Sequence, residues 1–229
     1  MWALVERGGV WIMTPILALS VAAAAFAIER AVFWLRLARG RDRRKVERFL
    51  ELVDSGDLAG AAREAQGTRD PVLRVLHCGL VHRNYDVSSA LEMAALAELA
   101  RMERWLPVLD TIVTLAPLLG ILGTVVGIIQ SFDLLSRDAA VQDPQAVTGG
   151  IAQALVTTAA GLVVAIVALV PHNYFKSLAD WMAREMEEAA TRLEILFRKA
   201  GLAEPAPRRK DSERSPARQV PPDGDVRWA

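Results

Sequence analysis

Thr111, Thr114, Thr124, Gln130 and Ser131 lie in one apolar run, Thr111–Phe132, and Thr148, Gln153, Thr157 and Thr158 lie in a second, Pro144–Phe175. Hydroxyl and amide groups can hydrogen-bond a file of water or a carboxylate, but they cannot store a proton at neutral pH. If ions cross between these runs, the wall is polar and its carrier belongs elsewhere. Gln153 and Thr157 are four residues apart and share a helix face, while Thr158 lies about 100° further round. One helix can therefore show one polar face to a path and another to a neighbour, and spacing alone does not say which is which. Threonines in an apolar helix also bond their own i−4 carbonyls without further consequence.

The elements that must position these groups are membrane helices. About 20 helical residues cross a hydrocarbon core of ~30 Å, and both runs are longer than that. Charge, balanced overall at 27 basic and 27 acidic residues, is nearly absent from three windows and crowded elsewhere. On this reading the interiors of the windows offer no titrating side chain, as the insertion cost of ~2.5–3.5 kcal/mol per charge favours. The runs are rich in small residues. Gly120, Gly123 and Gly127 include a GxxxG pair, and Gly150, Ala154, Thr158, Gly161 and Ala165 recur at small-residue spacing. Such stripes mark close helix–helix packing.

The third window, Gly8–Ile28, has no basic region before it and bulky Phe26 and Ile28 after its small residues. It reads as a retained first span rather than a cleaved signal. Arg30, Arg36, Arg39, Arg41, Arg43, Arg44, Lys45 and Arg48 follow it; Lys176, Arg184, Arg192, Arg198 and Lys199 follow the last span; and the connection Asp133–Asp143 is acidic. The positive-inside rule then places the N-terminus outside and the C-terminus in the cytoplasm.

The predicted fold is all-α and integral to the membrane, with three transmembrane helices and long cytoplasmic helical extensions of spans two and three. Residues 1–30 form the outer end and first span, 31–107 a cytoplasmic helical region, 108–175 spans two and three with a short outer loop, 176–202 an amphipathic helix, and 203–229 a Pro-rich disordered tail. Within 31–107 the spacing predicts a helix over Arg41–Val53 broken at Asp54-Ser55-Gly56, an Ala-rich helix to about Gln66, and a helix Val72–Leu80 started by Pro71. Ser89 and Glu92 suggest a capping box for a helix from about Ala90 that runs on into span two, with Pro107 at the membrane surface. Leu91, Ala95, Leu99 and Met102 line one side of that helix. Leu178, Trp181, Met182, Glu185, Ala189, Leu193 and Leu196 line the amphipathic one. Packing within the chain and packing between subunits both account for such stripes. In the tail, Arg208–Lys210 reads as solvated, with anionic lipid headgroups as the alternative contact.

Other chemistries find little support. His77, Cys78 and His82 supply three soft ligands without a fourth, so no metal is expected. No nucleophile–base pair, phosphate loop or paired carboxylate stands in the chain, so no catalytic residue, cofactor or enzyme activity is expected. One cysteine leaves no internal disulfide.

At Ala116-Pro117-Leu118-Leu119-Gly120-Ile121-Leu122-Gly123-Thr124-Val125-Val126-Gly127-Ile128-Ile129 and at Gly149-Gly150-Ile151-Ala152-Gln153-Ala154-Leu155-Val156-Thr157-Thr158-Ala159-Ala160-Gly161-Leu162, the chain resembles the second- and third-span signatures of the MotA/TolQ/ExbB proton-channel family. Ile28-Glu29-Arg30 and Asn173-Tyr174-Phe175 fit the same pattern, and the likeness extends over about Gly8–Lys199. Three spans match the ExbB and TolQ branch; flagellar MotA-type stators have four. The resemblance implies a bacterial inner-membrane pentamer whose second and third spans surround a pore. It also implies a single-span ExbD/TolR-type partner whose membrane Asp carries the proton, and a TonB/TolA-like or other envelope effector driven by proton passage, with no nucleic acid involved. By motif position it makes Thr124 and Thr158 the path threonines, with Thr157 and Gln153 beside them, and Gly120, Gly123, Gly127, Gly150 and Gly161 packing residues. Gln153 falls where the family usually has Glu, which leaves a second coupling ion or a positioning role open. The alternative reading is a membrane scaffold subunit that conducts nothing.

Overall fold

The computed structural model describes residues 10–137 and 144–201, with side chains from 11–133 and 148–201. The predicted tail 203–229 and the acidic connection's Asp138 and Asp143 lie outside the described residues. Seven helices account for almost all the rest: α1 Val10–Gly40, α2 Arg43–Asp54, α3 Leu58–Ala65, α4 Pro71–Val81, α5 Val87–Met102, α6 Leu106–Arg137 and α7 Pro144–Lys199. The described residues contain no strand.

Three of these helices, α1, α6 and α7, are long and apolar enough to cross a membrane. At 1.5 Å per residue the 56 residues of α7 extend about 84 Å, far beyond a hydrocarbon core. The first half of α7 packs on α6 and α1, and its second half is the spine on which α2, α4 and α5 lie. A 3/4 spacing makes this one seam: Ala154, Thr157, Gly161, Ala165, Ala168, Phe175, Ala179, Met182, Met186, Ala189, Leu193 and Phe197 are all buried. Large side chains on the other faces of the spans, among them Leu118, Ile121, Leu155, Val163 and Val170, point away from the chain.

The distal half is a small helical domain around Phe49, Val53, Leu73, Leu76, Leu80, Leu91, Met186, Leu193 and Phe197. Each such side chain contributes roughly 1.5–3 kcal/mol on burial. The stripes on α5 and α7 therefore serve packing within the chain. Aspartates start the helices: Asp42 accepts from Arg44 N–H, Asp57 from Gly60 N–H, Asp70 from Val72 N–H and Asp86 from Ser89 N–H. Asp70, only 1% exposed, also accepts the Asp42 N–H at 3.1 Å, so one carboxylate joins the starts of α2 and α4. Glu185 on α7 pairs with both Arg41 and Arg43, and the Arg41 guanidinium lies over the Trp181 ring at 4.3 Å. Burial lowers the pKa of Arg41, and Asp70 partly opposes that shift.

Two local expectations need correction. The cap of α5 is Asp86, not a Ser89–Glu92 box, and the helix begins at Val87. The Asp86 carboxylate takes both the Ser89 N–H at 3.1 Å and the Ser89 hydroxyl at 2.6 Å, which places Ser89 inside the first turn. Nor does α5 run into span two: it ends at Met102, and α6 starts afresh at Leu106. Pro107 gives the reason. In a continuous helix its ring would strike the carbonyl of Glu103 and its missing N–H would leave that carbonyl without a donor. The chain breaks at Glu103–Trp105 instead and places Pro107 in the first turn of a new helix, where proline is tolerated. The extension of span three is unbroken; that of span two is jointed.

Candidate ion path along the second and third spans

The α6–α7 contact is made by the small residues. A Cβ added to Gly161 would lie 2.5 Å from the Ala116 carbonyl oxygen and 3.2 Å from the Gly120 Cα. One added to Gly120 would lie 3.0 Å from the Thr158 Cα, and one added to Gly127 2.8 Å from the Ala154 Cβ. At Gly123 it would meet the Thr157 methyl, and at Gly150 the Ser131 hydroxyl. These glycines let two backbones approach to a distance no larger residue permits. Gly149 has nothing within 4 Å.

Close approach sets the hydroxyl chemistry. Thr158 donates across the contact to the Gly120 carbonyl at 2.7 Å. Thr124 donates to the Ile121 carbonyl of its own helix at 2.7 Å, Ser131 to the Gly127 carbonyl at 2.8 Å and Thr157 to the Gln153 carbonyl at 3.1 Å. A hydroxyl has one proton to give and two lone pairs. With that proton committed to a carbonyl, Thr124 and Thr158 meet any further guest as acceptors. Acceptors suit water, a protonated carboxyl or a cation; a bare carboxylate finds no proton there. Thr157 is 1% exposed and fills the interhelix contact within this chain. Gln153 is half-buried a turn away.

The foot of the spans holds groups that sequence reasoning passed over. His172 belongs to the run Pro144–Phe175, and Asp110 directly precedes Thr111–Phe132, so the spans are not free of titrating groups at this end. His172 Nδ1 lies 3.2 Å from the Leu106 carbonyl, and its Nε2 lies 3.8 Å from Asp110 Oδ1. The nearness of α6 residue 110 to α7 residue 172 comes from antiparallel packing, which spacing along one helix cannot reveal.

Arg30, which sequence marks only as a flanking charge and a member of Ile28-Glu29-Arg30, is a second buried charged group here. It is 2% exposed, pairs with Glu29, and donates from Nη1 to the carbonyls of Arg101 at 3.0 Å and Met102 at 3.1 Å. Those carbonyls end α5, so Arg30 caps the broken joint with a charge suited to a helix C-terminus. Its guanidinium also lies 4.5 Å over the Phe33 ring, and Phe26 stacks on Trp105 at 4.9 Å. The sequence holds a signal for it: an arginine nearly three turns before the end of α1, followed by the apolar run Ala31–Leu35, needs a buried partner.

Elsewhere, Cys78 Sγ and His82 Nδ1 are 3.7 Å apart, but that ring nitrogen also sits 2.9 Å from the Cys78 carbonyl. No group of three His, Cys, Asp or Glu side chains placed to hold a metal occurs among the described residues.

The family model described as the MotA/TolQ/ExbB proton channel family matches residues 68–188. A putative biopolymer transport protein ExbB-like 3 of Synechocystis is 35% identical over 196 residues, 84% of this chain and 92% of its own. ExbB-like 1 of the same organism is 37% identical over 198 residues, 84% of this chain and 77% of its own. The Tol-Pal system protein TolQ of Pseudomonas aeruginosa is 29% identical over 202 residues, 80% of this chain and 85% of its own.

Proposed function

Since the chain belongs to the MotA/TolQ/ExbB proton channel family, we propose that it is the wall-forming subunit of an ion-driven inner-membrane motor of the ExbB/TolQ type. Copies of the chain, five by family analogy, stand around an axis and turn the Thr124 and Thr158 faces of α6 and α7 inward. A single-span partner of the ExbD/TolR type occupies that axis and brings the acidic carrier. The arginine-rich flanks support an N-out, C-in orientation. Ion passage then drives an envelope process through the partner and a TonB/TolA-like effector. One elementary charge crossing 100 mV releases about 2.3 kcal/mol, so a few ions suffice for a conformational stroke.

The observation that carries this reading is the state of the threonine hydroxyls. Both donate to carbonyls and keep lone pairs for a guest. A wall of acceptors holds the protonated carrier and lets the ionised one go. Gln153 adds hydrogen-bonding capacity without a titration of its own. Co-purification with the single-span protein, with subunits counted by native mass spectrometry, tests the assembly. The expected result is one complex with several copies of this chain around the partner. A stable oligomer of this chain that excludes the partner would favour the non-conducting scaffold.

A further inference from the structure

We infer that Asp110 and His172 form a proton-accepting station at the inner foot of the path. This rests on the proposed path and supplies the titrating group that Gln153 does not. Position comes first. Asp110 precedes Thr124 by 14 residues, which places it within about 40° of the same helix face and about 21 Å along the axis. Thr114 lies between them along the axis, about 40° from Asp110 and about 80° from Thr124. Asp110 is 68% exposed although it stands in the first turns of a membrane helix.

Chemistry follows from the ring. A carbonyl only accepts, so the 3.2 Å contact with Leu106 requires the proton on His172 Nδ1. The free lone pair is then on Nε2, which faces Asp110 Oδ1 at 3.8 Å. That distance suits an ion pair or one bridging water better than a direct hydrogen bond. His172 is 12% exposed, so Nε2 opens chiefly towards the carboxylate. A proton arriving on water forms the Nε2–H bond as the O–H bond of the hydronium breaks. The imidazolium pairs with Asp110, and the proton leaves again to water on the inner side. The other charged groups at this end are Glu29 and Arg30 on α1, Arg101, Glu103 and Arg104 at the joint, and Lys176 one turn further along α7. Glu29 is engaged by Arg30. Asp110 is the carboxylate that stands within ion-pair distance of His172.

The test uses the full chain with its single-span partner in liposomes, with proton uptake followed from pH 5 to 8. Asp110→Asn and His172→Gln are each expected to lower uptake on the order of tenfold and to flatten its pH dependence. The double variant should lose no more than either single one, because the two act as one unit. Glutamine keeps a donor for the Leu106 carbonyl, and Asp110 is exposed, so both variants should fold. Uptake within twofold of wild type with an unchanged pH profile overturns the station. If Thr158→Val abolishes uptake in that same series, the path stands and only the station falls. A wild-type complex that takes up no protons overturns both.

Discussion

The hydroxyl of Thr158 on α7 donates to the carbonyl of Gly120 on α6 at 2.7 Å, a bond that crosses between the two spans. It holds the helices together and, on the proposed path, fixes the hydroxyl so that lone pairs remain for a guest. Thr158→Val keeps the shape and removes both. The lost interhelix bond costs about 0.6–2 kcal/mol, too little to prevent assembly. Ion flux in liposomes should fall by at least about tenfold at equal membrane levels, while Thr158→Ser should retain most of it. Wild-type flux in the valine variant would remove Thr158 from the path.

The glycine contact can be tested by position. In Gly161→Ala the new methyl would meet the backbone oxygen of Ala116, which no rotamer change relieves. Overpacking of this kind costs about 1–3 kcal/mol. Thermal unfolding in detergent should occur several degrees lower. Gly149→Ala, with open space around it, should unfold at or slightly above the wild-type temperature. Equal effects of the two would contradict the packing described for α6 and α7.

Arg30 ties α1 to the joint between α5 and α6. Arg30→Leu removes charge-assisted hydrogen bonds worth about 1.5–3 kcal/mol. Arg30→Lys can serve one carbonyl but not both with a rigid fork, so it should recover part of the loss. Limited trypsin cleavage after Arg104 reads this directly. Cleavage should be fastest in the leucine variant, intermediate in the lysine variant and slowest in wild type. The same rate in all three would leave Arg30 with no part in holding the joint.

Asp86 gives a pH prediction outside the membrane. Hydrogen bonds from the Ser89 side chain and backbone hold its pKa below the ordinary aspartate value. A carboxylate with a lowered native pKa adds stability that is complete above its unfolded value, about pH 4, and is lost as pH falls through the native one. Amide exchange at the start of α5 should therefore be faster in Asp86→Ala than in wild type at pH 7. The difference should close below pH 4. A difference that persists undiminished at low pH would contradict the cap.

Much of this architecture was legible in the residues. Apolar length marked the three spans, and 3/4 spacing marked the seam along α7. Asp54-Ser55-Gly56 marked the end of α2, where Gly56 takes φ +83°. The glycines Gly120, Gly123, Gly127 and Gly161, expected to serve packing, lie along the α6–α7 contact. What stayed hidden depends on contacts between elements. The partner of Thr158 is 38 residues away and that of His172 is 66 away. Arg30 reaches carbonyls 71 and 72 residues on. The Ser89–Glu92 spacing mimics a capping box, but the Asp86 carboxylate three positions before Ser89 is the acceptor that takes the Ser89 N–H. Pro107 alone does not reveal the joint before it, since Pro15, Pro117 and Pro171 stand inside continuous helices of the same chain.

The most direct measurement compares proton flux into liposomes for three preparations: this chain alone, the chain with its single-span partner, and the chain with a partner whose membrane aspartate is changed to asparagine. The expected result is flux in the second alone, because in the proposed motor the hydroxyl walls guide an ion that another subunit carries. Flux from this chain alone at the rate of the complex, or undiminished flux with the asparagine partner, would contradict it.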